Sequence, residues 1–366
     1  MGKDVRSCSE KDLMALCGER GFPEYRGRQI FAGVHRRGAQ CWDEIPSLGT
    51  EIRKTLSCDL FFGSVALADR RCSLDGTRKY LFCMADGECI ETVLIPDGEA
   101  KRWTLCVSTQ AGCAVGCVFC ATGRDGFRRN LTAGEIVAQA LEVIRAEKEM
   151  RPDFKIGNLV FMGMGEPFLN REPVMQAIDL FHAERGLNMG MRKMTISTCG
   201  VAPGILHLAA ARSQIGLAVS LHSSCDAVRD TLVPMNKRYP LAVLMEACRY
   251  YSAQTHRRIT FEMALTQETC TLEEAEALTK LLKGMTAHVN LIPVNPVSVN
   301  PTQPHYERPS GRQMSRYMAV LERERIPVSL REEKGADIEA ACGQLRGKSG
   351  REGVGRVEAC EPIIKM

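Results

Sequence analysis

Residues 103–120 read WTLCVSTQAGCAVGCVFC, a short β-rich run that breaks into a glycine-marked loop carrying Cys113, Cys117 and Cys120. In the run, Leu105 and Val107 fall on one face and Thr104, Cys106 and Ser108 on the other, because strand side chains alternate. A cysteine that only packed would sit with Leu105 and Val107, so Cys106 on the polar face stands out. The same split recurs downstream. Met194 and Ile196 oppose Thr195, Ser197 and Cys199, and Leu217, Val219 and Leu221 oppose Ala218, Ser220 and His222. If helices cover the apolar faces, the inner faces are small and polar. They then enclose a cavity for a hydrogen-bonding ligand, not the branched filling of a packed barrel.

Further strands are expected at residues 156–162, 194–199, 217–222, 259–263 and 288–293, with helices between them. Thr132 with Glu135, Thr271 with Glu274 and Ser310 with Gln313 are capping boxes at three helix starts. Pro240 opens another helix, with Leu244, Met245 and Cys248 on one face. Six β/α repeats predict an α/β fold with a parallel sheet, curled as a partial (β/α)6 barrel over residues 99–300. Residues 1–72 read as a small helical accessory domain, with Leu13, Leu16 and Cys17 at helical spacing and Pro23 opening a helix through Ile30, Phe31 and Val34. Residues 73–98 read as a β-hairpin extension turning at Ala85-Asp86-Gly87. Residues 301–366 read as a helix, a last strand at 326–330 and a mobile, glycine-rich segment around Cys342.

Composition bounds the class. A chain of 366 residues holds one large domain and one or two smaller ones. It is 45% hydrophobic and 25% charged, ordinary for a globular protein, with no run of about 18 apolar residues for a membrane span. No apolar secretory h-region appears at the start, so the expected compartment is the cytoplasm. A net charge of +4 argues against a basic tail that coats nucleic acid but leaves room for local patches. Arg20, Arg26, Arg28, Arg36 and Arg37 form one such cluster, and Arg124, Arg128 and Arg129 another beside the cysteine loop. The first reads equally well as a solvated helix face. The 17 cysteines, an odd number, argue against a disulfide scaffold in a reducing compartment. Twelve of them, including Cys83, Cys89, Cys199 and Cys360, read as small core residues.

The three crowded cysteines have the spacing C-x3-C-x2-C. Structural zinc takes four ligands, usually from paired short-spaced motifs, and no second pair appears. An iron–sulfur cube normally takes four cysteines, so three leave one iron open, which marks a reactive site. This spacing after a first β/α strand resembles the radical S-adenosylmethionine (SAM) superfamily. Wider matches resemble its RlmN family of adenine carbon 2 methyltransferases. They run from Pro23-Glu24-Tyr25-Arg26 through Gln29-Ile30-Phe31, Glu91-Thr92-Val93, Ala121-Thr122-Gly123 and Asn130-Leu131-Thr132. They continue with Gly163-Met164-Gly165-Glu166-Pro167, Ser197-Thr198, Ser220-Leu221-His222, Asn290-Leu291-Ile292-Pro293 and Ala341-Cys342-Gly343-Gln344-Leu345. The triplet together with the segments at 163–167 and 341–345 is highly specific.

The resemblance implies a [4Fe-4S] cluster on Cys113, Cys117 and Cys120. It implies SAM contacts at Gly165, Glu166, Ser197, Ser220, Leu221, His222 and Asn295. It implies that Cys342 becomes S-methylated by one SAM, that a radical from a second SAM activates that methyl, and that the resulting carbon adds to adenine. Glu91 would accept the carbon 2 proton, and Cys106 would attack the Cys342 sulfur, leaving a transient disulfide. Carbon 2 of adenine is electron-poor and will not attack an electrophilic methyl, which is why a cofactor must carry the step. The implied partners are 23S rRNA, tRNA and an electron donor such as flavodoxin, with the chain a monomer. On its residues alone, Glu91 reads as a solvent-facing strand carboxylate, and His222 reads equally as a satisfied buried histidine. Two rivals are a Cfr-type enzyme acting at carbon 8 and a zinc-containing RNA-binding module. Pro167 and Pro293 look like the carbon 2 enzymes.

Overall fold

In a computed structural model, residues 2–63, 65–98, 102–211, 213–294 and 306–347 are described. Ten strands form one continuous sheet: β1 (Val65–Cys72), β2 (Arg78–Met84), β3 (Cys89–Asp97), β4 (Arg102–Cys106), β5 (Asn158–Phe161), β6 (Met194–Thr198), β7 (Gly216–Ser220), β8 (Ile259–Leu265), β9 (Ala287–Pro293) and β10 (Val328–Leu330). Their spatial order is β10-β9-β8-β7-β6-β5-β4-β3-β2-β1, so every strand lies beside its neighbour in the chain. Strands β4 to β10 are parallel, and β1 to β4 antiparallel. The six expected β/α strands are all present as β4 to β9, and β10 extends them. The fold is α/β of radical SAM type.

The hairpin is continuous with this sheet. Strand β3 pairs with β4 (Val93 opposite Cys106), and β1, unforeseen in the sequence, pairs outside β2. A buried cluster ties the extension to the core: Arg78 and the Tyr80 hydroxyl both bond the Glu147 carboxylate. Burial pushes the Arg78 guanidinium down to about 10 and the Tyr80 phenol up to about 12. Cys83 and Cys89, directly opposed across the hairpin, form a disulfide, contrary to their expectation as core thiols.

Helices α1 (Glu10–Glu19), α2 (Tyr25–His35) and α3 (Thr50–Leu56) form the N-terminal part. Crossovers carry α4 (Ala133–Lys148), α5 (Arg171–His182), α6 (Ala202–Ala210), α7 (Leu241–Thr255), α8 (Leu272–Leu282) and α9 (Gly311–Arg323). The boxes Thr132–Glu135 and Ser310–Gln313 close reciprocally. The third is half-closed: Thr271 accepts from the Glu274 amide, but the Glu274 carboxylate reaches Ser223 and Ser224 in the loop after β7. Leu105, Val107, Ile196, Leu217, Val219 and Leu221 are almost fully buried. Burial of such side chains contributes about 1.5–3 kcal/mol each. No helix among the described residues is long and apolar enough to cross a membrane.

Candidate active site

The polar strand faces meet where the alternation places them. A cavity of about 170 Å³ opens at the C-terminal strand ends, lined by Ser197, Cys199, Ser220, His222, Glu262 and Ala264 from β6 to β8 and the loops after β6 and β7. Cys113, Cys117 and Cys120 close one end of it, and Gly163, Gly165 and Glu166 one side. A second cavity adjoins it, walled by Val93, Ile95, Cys106, Ala340, Ala341 and Leu345. Cys120, Arg331 and Cys342 line both, so the two are halves of one site.

The cysteine loop starts with a tight turn. Gly112 has φ +73°, and a Cβ there would lie 1.9 Å from the Gly126 carbonyl oxygen, so only glycine fits. Among the described residues no three Cys, His, Asp or Glu side chains close on one point as around a single ion. The three thiols instead ring a cavity wall, an arrangement suited to a multi-atom cluster. Burial pushes the Cys113 thiol up to about 12 and the Cys117 thiol well above its ordinary value, with the neighbouring thiols adding to both. Metal coordination would deprotonate such thiols outright. The donor set fits the cluster.

The remaining expected contacts divide. The Ser197 and Ser220 hydroxyls donate to Glu262 Oε2 at 3.2 and 3.4 Å. Their hydroxyls and the carboxylate suit a ribose, and Phe161, Met162, Ile292 and Val294 in the same wall suit a nucleobase. Glu166 is buried and accepts from the amides of Phe168 (3.0 Å) and Cys199 (2.7 Å), while burial pushes its carboxyl up. Gly165 has φ +100° and packs its bare Cα against Gln110. His222 packs edge-on to Phe119, and its Nδ1 accepts from the Ala264 amide at 3.0 Å, so it is both a cavity residue and a satisfied buried histidine. Leu221 is in the core and meets the site through its backbone only: its amide bonds the Glu262 carbonyl, and its carbonyl accepts from Arg229. Asn295 lies outside the described residues.

Cys342 is solvent-accessible and faces both cavities, with Cys106, a buried free thiol, in the second. Burial pushes the Cys106 thiol up to about 12, and the nearby Cys342 adds to this. The Cys342 segment is docked by hydrogen bonds to its backbone. Ala121 donates its amide to the Gly343 carbonyl at 2.7 Å, and the Thr122 hydroxyl donates to the Leu345 carbonyl at 2.6 Å. Ser73 and the Leu74 amide bond Asp337. Glu91 is not solvent-facing: it is 7% exposed and ion-paired with Lys79 at 3.1 Å. It lines neither cavity, because its Oε2 accepts from the Arg346 amide at 2.7 Å.

The profile of the radical SAM superfamily matches residues 107–282. A probable dual-specificity RNA methyltransferase RlmN of Desulfitobacterium hafniense (strain Y51) is 51% identical over 94% of this chain and 96% of its own length. The chain belongs to the RlmN family of radical SAM RNA methyltransferases. A second RlmN relative, dual-specificity RNA methyltransferase RlmN 1 of Myxococcus xanthus (strain DK1622), is 44% identical over 91% of each chain. The crystal structure of a radical SAM methyltransferase from Sphaerobacter thermophilus superposes with a TM-score of 0.89 at 42% identity, covering 94% of this chain and all of that one.

In this RlmN-family site, several residues escape a linear reading. Glu262 joins Ser197 and Ser220 to Arg331, whose Nη1 is 3.4 Å from Glu262 Oε1. Arg331 also lies within charge range of Cys342 and of Cys106. Arg229, fully buried, donates to the carbonyls of Leu221 (2.9 Å) and Cys199 and to Asn236 Oδ1 (2.6 Å), bracing the loops after β6 and β7. Of the arginine clusters, Arg129 is tied to Asp86 and Glu135, Arg128 to Glu88 and Arg20 to Asp59. Arg28, Arg36, Arg37 and Arg185 line a surface pocket.

Proposed function

We propose that the chain methylates carbon 2 of an adenine in 23S rRNA and in tRNA, in the cytoplasm, through a methyl group first placed on Cys342. One observation carries this reading: Cys106, Cys342 and the three loop cysteines face one cavity system. A [4Fe-4S] cluster on Cys113, Cys117 and Cys120, with SAM on its open iron, would supply the methyl group and the carbon-centred radical. The chain's own residues then have separate tasks. Cys342 must lose its proton to accept a methyl on sulfur, and the Arg331 guanidinium beside it favours that anion. Ser197, Ser220, His222 and Glu166 orient the nucleoside end of SAM. Glu91 accepts the carbon 2 proton of the base. Cys106 then attacks the Cys342 sulfur: the sulfur–sulfur bond forms as the sulfur–carbon bond breaks, its electron pair staying on the methylene carbon, which takes a proton to become the methyl group. A dithiol reductant later returns both thiols with two electrons, while a donor such as flavodoxin would supply the cluster's single electrons.

The target base must leave its stack to enter so enclosed a cavity, and RNA shape guides it there. Nucleoside mass spectrometry of rRNA and tRNA from cells with and without the gene tests the reading. Loss of 2-methyladenosine on deletion supports it. Unchanged 2-methyladenosine in both pools, or loss of 8-methyladenosine instead, overturns it.

A further inference from the structure

We propose that Lys79 is a positioning residue that holds Glu91 and the Cys342 segment as one unit; this rests on the role given to Glu91 above. Lys79 on β2 and Glu91 on β3 share a face as diagonal neighbours, since Lys79 pairs with Val93 and Leu81 with Glu91. Lys79 is 6% exposed and Glu91 7%, so both charges are out of water. A lysine is almost never buried so fully unless paired, because an isolated ammonium there is costly. The Lys79 ammonium meets Glu91 Oε1 at 3.1 Å and donates to the Glu339 carbonyl, also at 3.1 Å. Glu91 Oε2 accepts from the amides of Arg346 and Gly347 at 2.7 and 3.4 Å.

One ion pair therefore grips the chain on both sides of Cys342. Val93 and Ile95, on the same face of β3, continue directly into the wall of the second cavity. The grip has two consequences. It fixes where Cys342 stands relative to the proton acceptor. It also screens Glu91 from the cavity, so the segment around Arg346 parts from Glu91 when a base enters. Lys79 then remains to aim the carboxylate.

The test uses cluster-loaded full-length protein, SAM and a tRNA transcript, with Lys79→Met and Lys79→Arg beside the wild type. Hydrogen exchange at Arg346 and Gly347 should quicken in Lys79→Met. Formation of 2-methyladenosine should fall about 100-fold, as displacing a reacting group by an ångström does. Lys79→Arg, which keeps charge and donors, should restore most of both, a rescue that a purely structural role would not give. Wild-type exchange and wild-type yield in Lys79→Met overturn the proposal. Should Lys79→Met not fold, wild-type protein decides: saturating tRNA must quicken exchange at Arg346 and Gly347, and unchanged or slower exchange overturns the grip. If the wild type makes no 2-methyladenosine, the proposed function fails, while the exchange measurements still decide the placement by Lys79.

Discussion

Arg331 acts on both Glu262 and Cys342: its Nη1 lies 3.4 Å from Glu262 Oε1, and its guanidinium lies within charge range of the Cys342 sulfur. The buried carboxylate anchors the arginine, and the arginine carries its charge toward the Cys342 sulfur. Although Cys342 reaches solvent, the cavity walls around its sulfur desolvate it and push the thiol above its ordinary value; Arg331 works against that rise while Glu262 adds to it. Arg331→Gln should therefore raise the thiol further and leave less thiolate at any given pH. Iodoacetamide labelling of Cys342, followed by peptide mass spectrometry across pH, should slow about tenfold if the midpoint of the thiol's titration moves up by one on the pH scale. A labelling profile identical to wild type would contradict this role.

His222 makes stability depend on acid. Burial pushes its imidazole down to about 3 from an ordinary value near 6.5, and Nδ1 is occupied as an acceptor from Ala264. The unfolded chain thus binds a proton that the folded chain refuses. The contribution is complete above pH 6.5 and is lost as pH falls toward 3. At pH 5 the loss is about 2 kcal/mol. Thermal melts of wild type should drop between pH 7 and 5. His222→Asn, which keeps an acceptor and tolerates the left-handed backbone at φ +64°, should show a shallower drop.

Arg229 is a stability residue beneath the site. Its guanidinium serves two strand-end carbonyls and Asn236, and lysine cannot reach all three acceptors at once. Arg229→Lys should cost about 3 kcal/mol, because buried acceptors lose their donors. Denaturant unfolding monitored by circular dichroism would measure it; a midpoint equal to wild type would show that the carbonyls find other donors.

Gly112 fixes the turn that opens the cysteine loop. A methyl group at this position meets the Gly126 carbonyl, and φ +73° is strained for any side chain. Gly112→Ala should lower iron and sulfide per chain by more than half in anaerobically reconstituted protein, about 1 kcal/mol of strain or more acting on the loop. Full loading would mean that the loop has another conformation able to hold the same thiolates.

Much of the site is legible in the residues because it is local. Cys113, Cys117 and Cys120 sit within one loop, and Gly163, Gly165 and Glu166 follow one strand. The polar stripe on β4, β6 and β7 shows itself as a period of two, since alternate side chains must face opposite sides of a sheet. The same period places Cys106, Ser197, Ser220 and His222 in the cavity walls. The capping boxes at Thr132 and Ser310 are equally local and form as written. Glu91 has the strand pattern of an exposed carboxylate and is nonetheless buried, because that pattern says nothing of the chain that later covers it.

The sequence alone determined the succession of strands and helices in the α/β core, the cysteine loop and the polar strand faces, because backbone periodicity and loop spacing are properties of neighbouring residues. Only the tertiary structure decided which charges meet. Glu262 and Arg331 lie 69 positions apart and Arg78 and Glu147 also 69, and the Arg346 backbone amide reaches the Glu91 carboxylate across 255. Each of these pairs joins different strands, helices or segments, and no spacing rule within one element links them. Their partners are set by sheet register and by where the segment after β10 docks. In a buried setting an unpaired charge is costly, so it is the fold that selects these pairs and, through them, the surroundings of Cys342 and Glu91.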